Sequence, residues 1–215
     1  MSRLARLPFM QSARVKKVFK DACERYDLVY FGFVSQHKDE HEMVRGFTLS
    51  PSHVDQHYCV GTVASRDMIL LQRTETVSFP AQPSKAYTWT VLQVDLRRND
   101  VVHTFLNSTD YDEIIYKQLF AKFQHMSQVN PGILVGYDAQ FLNKFRVYAS
   151  PQRLDEVLRQ LRPEIAAMIG HHFAGIDVEY YGDQLILYIQ TNSPTKQDID
   201  NLMRLGVWLA EQIDS

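Results

Sequence analysis

Cysteine is scarce in this sequence, with only Cys23 and Cys59 among 215 residues. They form no Cys-x-x-Cys pair, and so small a number does not suggest a disulfide framework. Both are expected as thiols packed in the core of a protein from a reducing compartment. Glycine is sparse too, nine in all and few of them clustered. No Gly-x-Gly-x-x-Gly or Walker-type loop occurs, which removes the usual phosphate cradles, and no Gly-x-Ser-x-Gly elbow marks a serine hydrolase. No apolar run approaches the roughly 20 residues of a membrane-spanning helix. Leu4-Ala5-Arg6-Leu7-Pro8-Phe9-Met10 is too short and too interrupted by charge to serve as a signal peptide, so a cytoplasmic location is expected. A formal net charge of −2 gives no overall pull toward nucleic acid.

What is present is a globular composition, 45% hydrophobic and 22% charged, in a chain long enough to bury a core without staples. The hydrophobic periodicity predicts an α+β fold, a largely antiparallel sheet with amphipathic helices. Val15, Val18, Phe19, Ala22 and Tyr26 recur at helical spacing over 12–26, behind a plausible cap at Ser12. Residues 28–34 are aromatic and β-branched and read as a strand. Ser50-Pro51 looks like a cap and a first-turn proline, opening a short helix to about Tyr58. Apolar runs at 58–64, 68–72, 86–96 and 101–106 suggest a meander, with a turn at Ser65-Arg66-Asp67. Residues 86–96 carry bulk on both faces, as a central strand would. A helix is expected over 109–126, where Thr109 and Asp112 have capping-box spacing.

The last third reads as a strand at 144–150, a helix from Ser150-Pro151 interrupted at Pro163, a hairpin turning at Gly182-Asp183, and a final helix from Ser193-Pro194. Two subdomains are expected, 1–130 and a βαββα unit at 141–215, or one continuous domain; the loop at 127–140 is the best boundary.

Two pairs of histidines, His37/His41 and His53/His57, stand four residues apart. On a helix such a pair shares a face and can reach one metal ion, with Asp39, Glu40, Asp55 and Cys59 nearby. The His-Glu-x-x-His order of a metalloprotease is absent, since Lys38 follows His37 and Val54 follows His53. The alternative is that all four are polar surface residues. Arg3, Arg6, Arg14, Lys16, Lys17 and Lys20 form a basic first twenty residues without an acid. They read as the solvated face of a first helix, or else as an arm for nucleic acid or an anionic membrane. His171 and His172 suit the negative end of a helix dipole. Asp177 and Glu179 alternate with apolar neighbours and read as solvated.

Phe145-Arg146-Val147-Tyr148-Ala149-Ser150, then a helix broken at Leu161-Arg162-Pro163, the strands at 176–180 and 185–189 and a closing helix, form a recognisable series. Upstream stand Trp89-x-Val-x-x-Val-Asp-Leu96 and His103-Thr-Phe-Leu106. Together these resemble a bacterial family, the domain of unknown function numbered 3137, over about 85–215. Many members carry transmembrane helices ahead of this domain; no such run occurs in these 215 residues. The resemblance implies a fold and no catalytic residues. The resulting expectation is a non-enzymatic protein-interaction or scaffold module of bacterial type, without a cofactor, that holds a protein partner or itself. The alternatives are a metal-binding protein or metal-dependent hydrolase built on the four histidines, and a peripheral contact through the basic amino terminus.

Overall fold

The computed structural model describes residues 8–32, 53–78, 84–109, 116, 120, 123 and 125–215. Helix α1 (Pro8–Tyr26) turns Val15, Phe19, Ala22 and Cys23 inward, while Arg14, Lys16, Lys17 and Lys20 stay exposed. Asp27, in the left-handed region at φ 55°, ends the helix, and the Leu28 N–H donates to the Cys23 carbonyl. Strand β1 (Val29–Gly32) follows.

The expected short helix ending near Tyr58 is instead part of strand β2 (His53–Val63). Its backbone bonds go to β3 (Arg66–Val77), from His53↔Glu75 to Val63↔Arg66, and that pairing overrides a local cap-and-proline signal. The hairpin turns on Ala64 and Ser65, both with positive φ, one residue earlier than the sequence suggests. Strands β4 (Lys85–Asp95) and β5 (Val101–Ser108) complete the first run. Of the helix expected over 109–126, Tyr116 and Phe120 are helical, whereas Thr109, Phe123, His125 and Met126 are not; the rest lies outside the described residues. Then come β6 (Ser127–Gln128), α2 (Ala139–Lys144), β7 (Phe145–Ala149), α3 (Leu154–Gln160) and α4 (Pro163–His172). The hairpin β8 (Asp177–Gly182) and β9 (Gln184–Gln190) leads into α5 (Lys196–Asp214). Pro163 starts α4, as a residue without an N–H can. The cap of α5 is Thr195, in a reciprocal capping box with Asp198, rather than the earlier Ser193.

Among the described residues, nine strands form one antiparallel sheet in the order β1-β2-β3-β4-β9-β8-β5-β7-β6. Strands from both ends of the chain thus interleave: β4 pairs with β9, and β5 with β7 and β8. The expected central strand at 86–96 is indeed interior. One face carries Leu70, Leu92, Val94, Leu185 and Leu187, covered by the apolar stripes of α1 and α3 to α5. From α5 alone, Ile199, Leu202, Met203, Leu205, Leu209 and Ile213 are buried, each worth about 1.5–3 kcal/mol. The other face is aromatic, with Tyr58, Tyr87, Trp89, Phe105, Tyr116 and Tyr188 buried.

Cys23 and Cys59 form a disulfide between α1 and β2, with Cα atoms 6.1 Å apart. This corrects the expectation of two free thiols, and with it the argument for a reducing compartment, since structural disulfides persist where the surroundings oxidise. Closing a loop of 36 residues stabilises by about 4 kcal/mol in the chain-entropy view. Among the described residues no helix is long and apolar enough to cross a membrane.

Two glycines set the helix packing. A Cβ on Gly170 would stand 2.7 Å from the backbone of Phe141, so α4 can lie on α2 only without one. A Cβ on Gly206 would meet the movable Cδ2 of Leu92 at 2.9 Å. Alanine in a helix interior normally exceeds glycine by about 1 kcal/mol. At position 170 the sign should reverse: Gly170→Ala is expected to cost about 1–3 kcal/mol and to lower the Tm by several degrees in a thermal scan, with a smaller loss for Gly206→Ala.

Candidate functional site

Of the two histidine pairs, His37 and His41, with Asp39 and Glu40, lie outside the described residues. His53 and His57 sit on a strand, with a bulge between Gln56 and Cys59. That bulge, with His57 at φ 59°, turns the two side chains apart. His53 Nε2 is 3.8 Å from Asp55 on the aromatic face, while the His57 ring stacks on Phe19 of α1 at 5.3 Å. Cys59 is committed to the disulfide. Among the described residues no three His, Cys, Asp or Glu side chains gather as a metal centre. Of the basic series, Arg3 and Arg6 lie outside the described residues. Lys17 is bound to Asp21 at 2.6 Å. His171 and His172 do end a helix, α4, with His171 Nε2 3.4 Å from Asp138.

The sheet register aligns a polar chain across the aromatic face that periodicity alone does not reveal. Asp55 accepts two bonds from Arg73, at 2.8 and 2.7 Å, and a third from the Tyr58 hydroxyl at 3.2 Å. Burial opposes the charge on Arg73, but the Asp55 bonds and the nearby Tyr188 and Glu75 hold the guanidinium above its usual range. Tyr188 donates to Glu179 at 2.5 Å, and His103 Nε2 lies 2.9 Å from the other Glu179 oxygen. Asp177 accepts from the Ser108 N–H at 2.6 Å and from the Tyr116 hydroxyl. Asp177 is 1% exposed and Glu179 5%, which corrects their reading as solvated residues. Alternation on a strand separates two faces, but here both are buried, so the polar set faces partners instead of water. Breaking such a pair leaves an uncompensated buried charge. Arg73→Leu is expected to destabilise by about 3–5 kcal/mol, and Asp55→Leu with Arg73→Leu by less than the two separately, measured as a denaturation cycle.

At one end of the sheet, a cleft of about 500 Å³ is lined by Arg98, Asp100, Glu156, Arg159 and Arg162 among others. Both acids are occupied, Asp100 by Arg98 and Glu156 by Arg153.

The more distinctive surface is strand β1, which ends the sheet. Among the described residues nothing pairs with its outer side. Val29 and Phe31 are 58% and 56% exposed, on a strand whose free N–H and C=O groups can accept another. The opposite edge, β6, is two residues long and polar. Strand β1 is well held from behind. Its Tyr30 hydroxyl lies 2.8 Å from His57 Nδ1, which accepts if the other ring nitrogen carries the proton. Burial raises the Tyr30 phenol, which keeps it a donor. Lys20 Nζ lies over the Tyr30 ring, 5.5 Å from its centroid. The disulfide fixes α1 to β2, the strand that carries β1.

No protein-family model matches the chain, and no curated protein matches it. Its fold is similar to that in the crystal structure of the mycobacterial trehalose monomycolate transport factor A. The TM-score is 0.59, at 10% identity, over 95% of this chain and 92% of that one. At that identity the likeness is one of fold.

Burial, and secondarily the Lys16 charge, lower the His57 pKa below the ordinary 6.5. As pH falls through about 6.5 the unfolded chain takes up this proton and the folded one does not. The stability His57 contributes is therefore complete above that pH and is lost below it, until the folded form also titrates. The Tm should fall below about pH 6.5 more steeply for the wild type than for His57→Gln, measured by thermal scans over a descending pH series.

Proposed function

We propose that this chain is a non-enzymatic interaction module that holds an extended segment of a protein partner along the free side of β1. The observation that carries this reading is the asymmetry of the two sheet edges. Monomeric sheets protect their edges by shortness, charge or cover. β6 follows that rule with two exposed polar residues, whereas β1, though only four residues long and bulged at Phe31, presents Val29 and Phe31 to solvent. An added strand gains main-chain hydrogen bonds from β1, and its alternate side chains gain apolar contact. Tyr30, His57 and the disulfide hold β1 in place beforehand, which lowers the ordering cost of binding. The likeness in fold to a protein named as a transport factor is compatible with a role other than catalysis.

Val29→Lys and Phe31→Lys alter exposed side chains, so circular dichroism and Tm should barely change. A partner retained by the wild type from source-cell extract, and then rebound as purified protein, should lose about tenfold in affinity or more on Phe31→Lys. Amides of β1 should gain hydrogen-exchange protection in the complex. A purified partner that binds wild type and both variants equally, leaving β1 exchange unchanged, would overturn the reading.

A further inference from the structure

We infer that the strand β1 accepts is one whose side chains alternate apolar and acidic; this rests on the edge docking proposed above and specifies its partner. The two faces of the edge differ in chemistry. Val29 pairs with Val60, and Phe31 stands at a bulge between Tyr30 and Gly32; a Cβ on Gly32 would point at the Tyr30 ring, so Phe31 is left on the side away from Tyr30, and both Val29 and Phe31 are more than half exposed. Tyr30, between them, projects to the side of α1, where it meets the His57 ring and Lys20.

Lys16 and Lys20 stand one turn apart on α1, both exposed, on the side that adjoins β1. Lys16 is close enough to His57 to disfavour its protonation, and Lys20 lies over the Tyr30 ring. Among the described residues neither lysine has an acidic partner, whereas Lys17 is occupied by Asp21. Glu24, a turn beyond Lys20, closes the basic stripe.

An incoming strand lies about 4.8 Å from β1, and its successive side chains point to opposite faces. Residues that meet Val29 and Phe31 are therefore apolar. The residue between them, opposite Tyr30, and its next neighbour on the same side turn toward Lys16 and Lys20, where a carboxylate is attracted and an ammonium repelled. Each exposed pairing contributes roughly two- to fivefold in affinity. Two such sites separate acidic from basic partners by about tenfold or more.

The test uses dye-labelled ten-residue peptides in fluorescence anisotropy at about 0.15 M salt, where charges more than about 8 Å apart are largely screened and close pairings still act. One peptide alternates Val and Glu, one alternates Val and Lys, and one has the Val and Glu residues in two blocks. Polyglutamate and anionic vesicles of phosphatidylserine serve as polyanions without a strand pattern. The proteins are the full chain, Lys16→Glu/Lys20→Glu and Phe31→Lys, each checked for its wild-type circular dichroism.

The alternating Val/Glu peptide should bind about tenfold more tightly than the Val/Lys peptide and the blocked peptide. Lys16→Glu/Lys20→Glu should reverse the order of the Val/Glu and Val/Lys peptides, and Phe31→Lys should weaken both. Equal binding of the Val/Glu and Val/Lys peptides, both lost on Phe31→Lys, would overturn the charge rule while leaving edge docking in place. Polyglutamate or vesicles binding as tightly as the Val/Glu peptide, with Phe31→Lys without effect, would overturn both and make the stripe a general anion surface. Absence of binding by every peptide at up to about 1 mM would also overturn both.

Discussion

A sheet buried on both sides cannot leave a polar side chain to water, and much of this molecule follows from that constraint. The helix-covered face meets it by being almost wholly aliphatic, from Leu70 through Leu92 to Leu187. The aromatic face meets it by pairing. Asp55 is matched to Arg73, Glu179 to His103 and Tyr188, and Asp177 to Tyr116 and a backbone N–H. Phenols recur in these pairs because a tyrosine brings large apolar area together with one donor. The network gives register to strands that aliphatic packing alone would leave free to slip. A similar arrangement fixes the last turn of α5. Asp214 sits at the unfavourable negative end of the helix dipole, with its side chain largely withdrawn from water. Even so, the Arg97 and Arg98 N–H groups and the Arg66 guanidinium hold its carboxyl below the usual range.

The edge strand shows the constraint from the other side. Strand β1 has Tyr30 anchored on His57 and a disulfide in the layer behind it, so it is rigid where it is covered and open where it is not. A binding edge benefits from that combination, because a template that is already ordered does not lose its own entropy when a partner arrives.

Much of the architecture is legible in the sequence where the pattern is local. Leu202, Leu209 and Ile213 mark α5, Pro163 marks the break between α3 and α4, and Gly182 marks the hairpin, because each depends on neighbours a few residues away. Ser50-Pro51 misleads, since a cap signal is weaker than the long pairing of β2 with β3. Cys23 and Cys59 are read as separate thiols because nothing local connects them; only the packing of α1 on β2 brings them together. Asp177 and Glu179 look solvated because alternation implies two faces without saying what lies against either. The β1 edge is hidden for a related reason: the strand is visible in the sequence, but its place at the end of the sheet is a property of strand order.

That order also bears on how the chain is made. Strands β4 and β5 are consecutive in sequence, yet the hairpin of β8 and β9 stands between them. A ribosome releases both long before it releases the residues that will separate them. In the finished sheet β4 is bonded to β9 and β5 to β8, and a direct union of β4 with β5 would shut the hairpin out. The acidic and basic groups that punctuate Arg97, Arg98 and Asp100, the link between those two strands, lie where such a false closure would have to turn. The final hairpin therefore has to enter between two borders, β4 on one side and β5 on the other, rather than add to an outer edge.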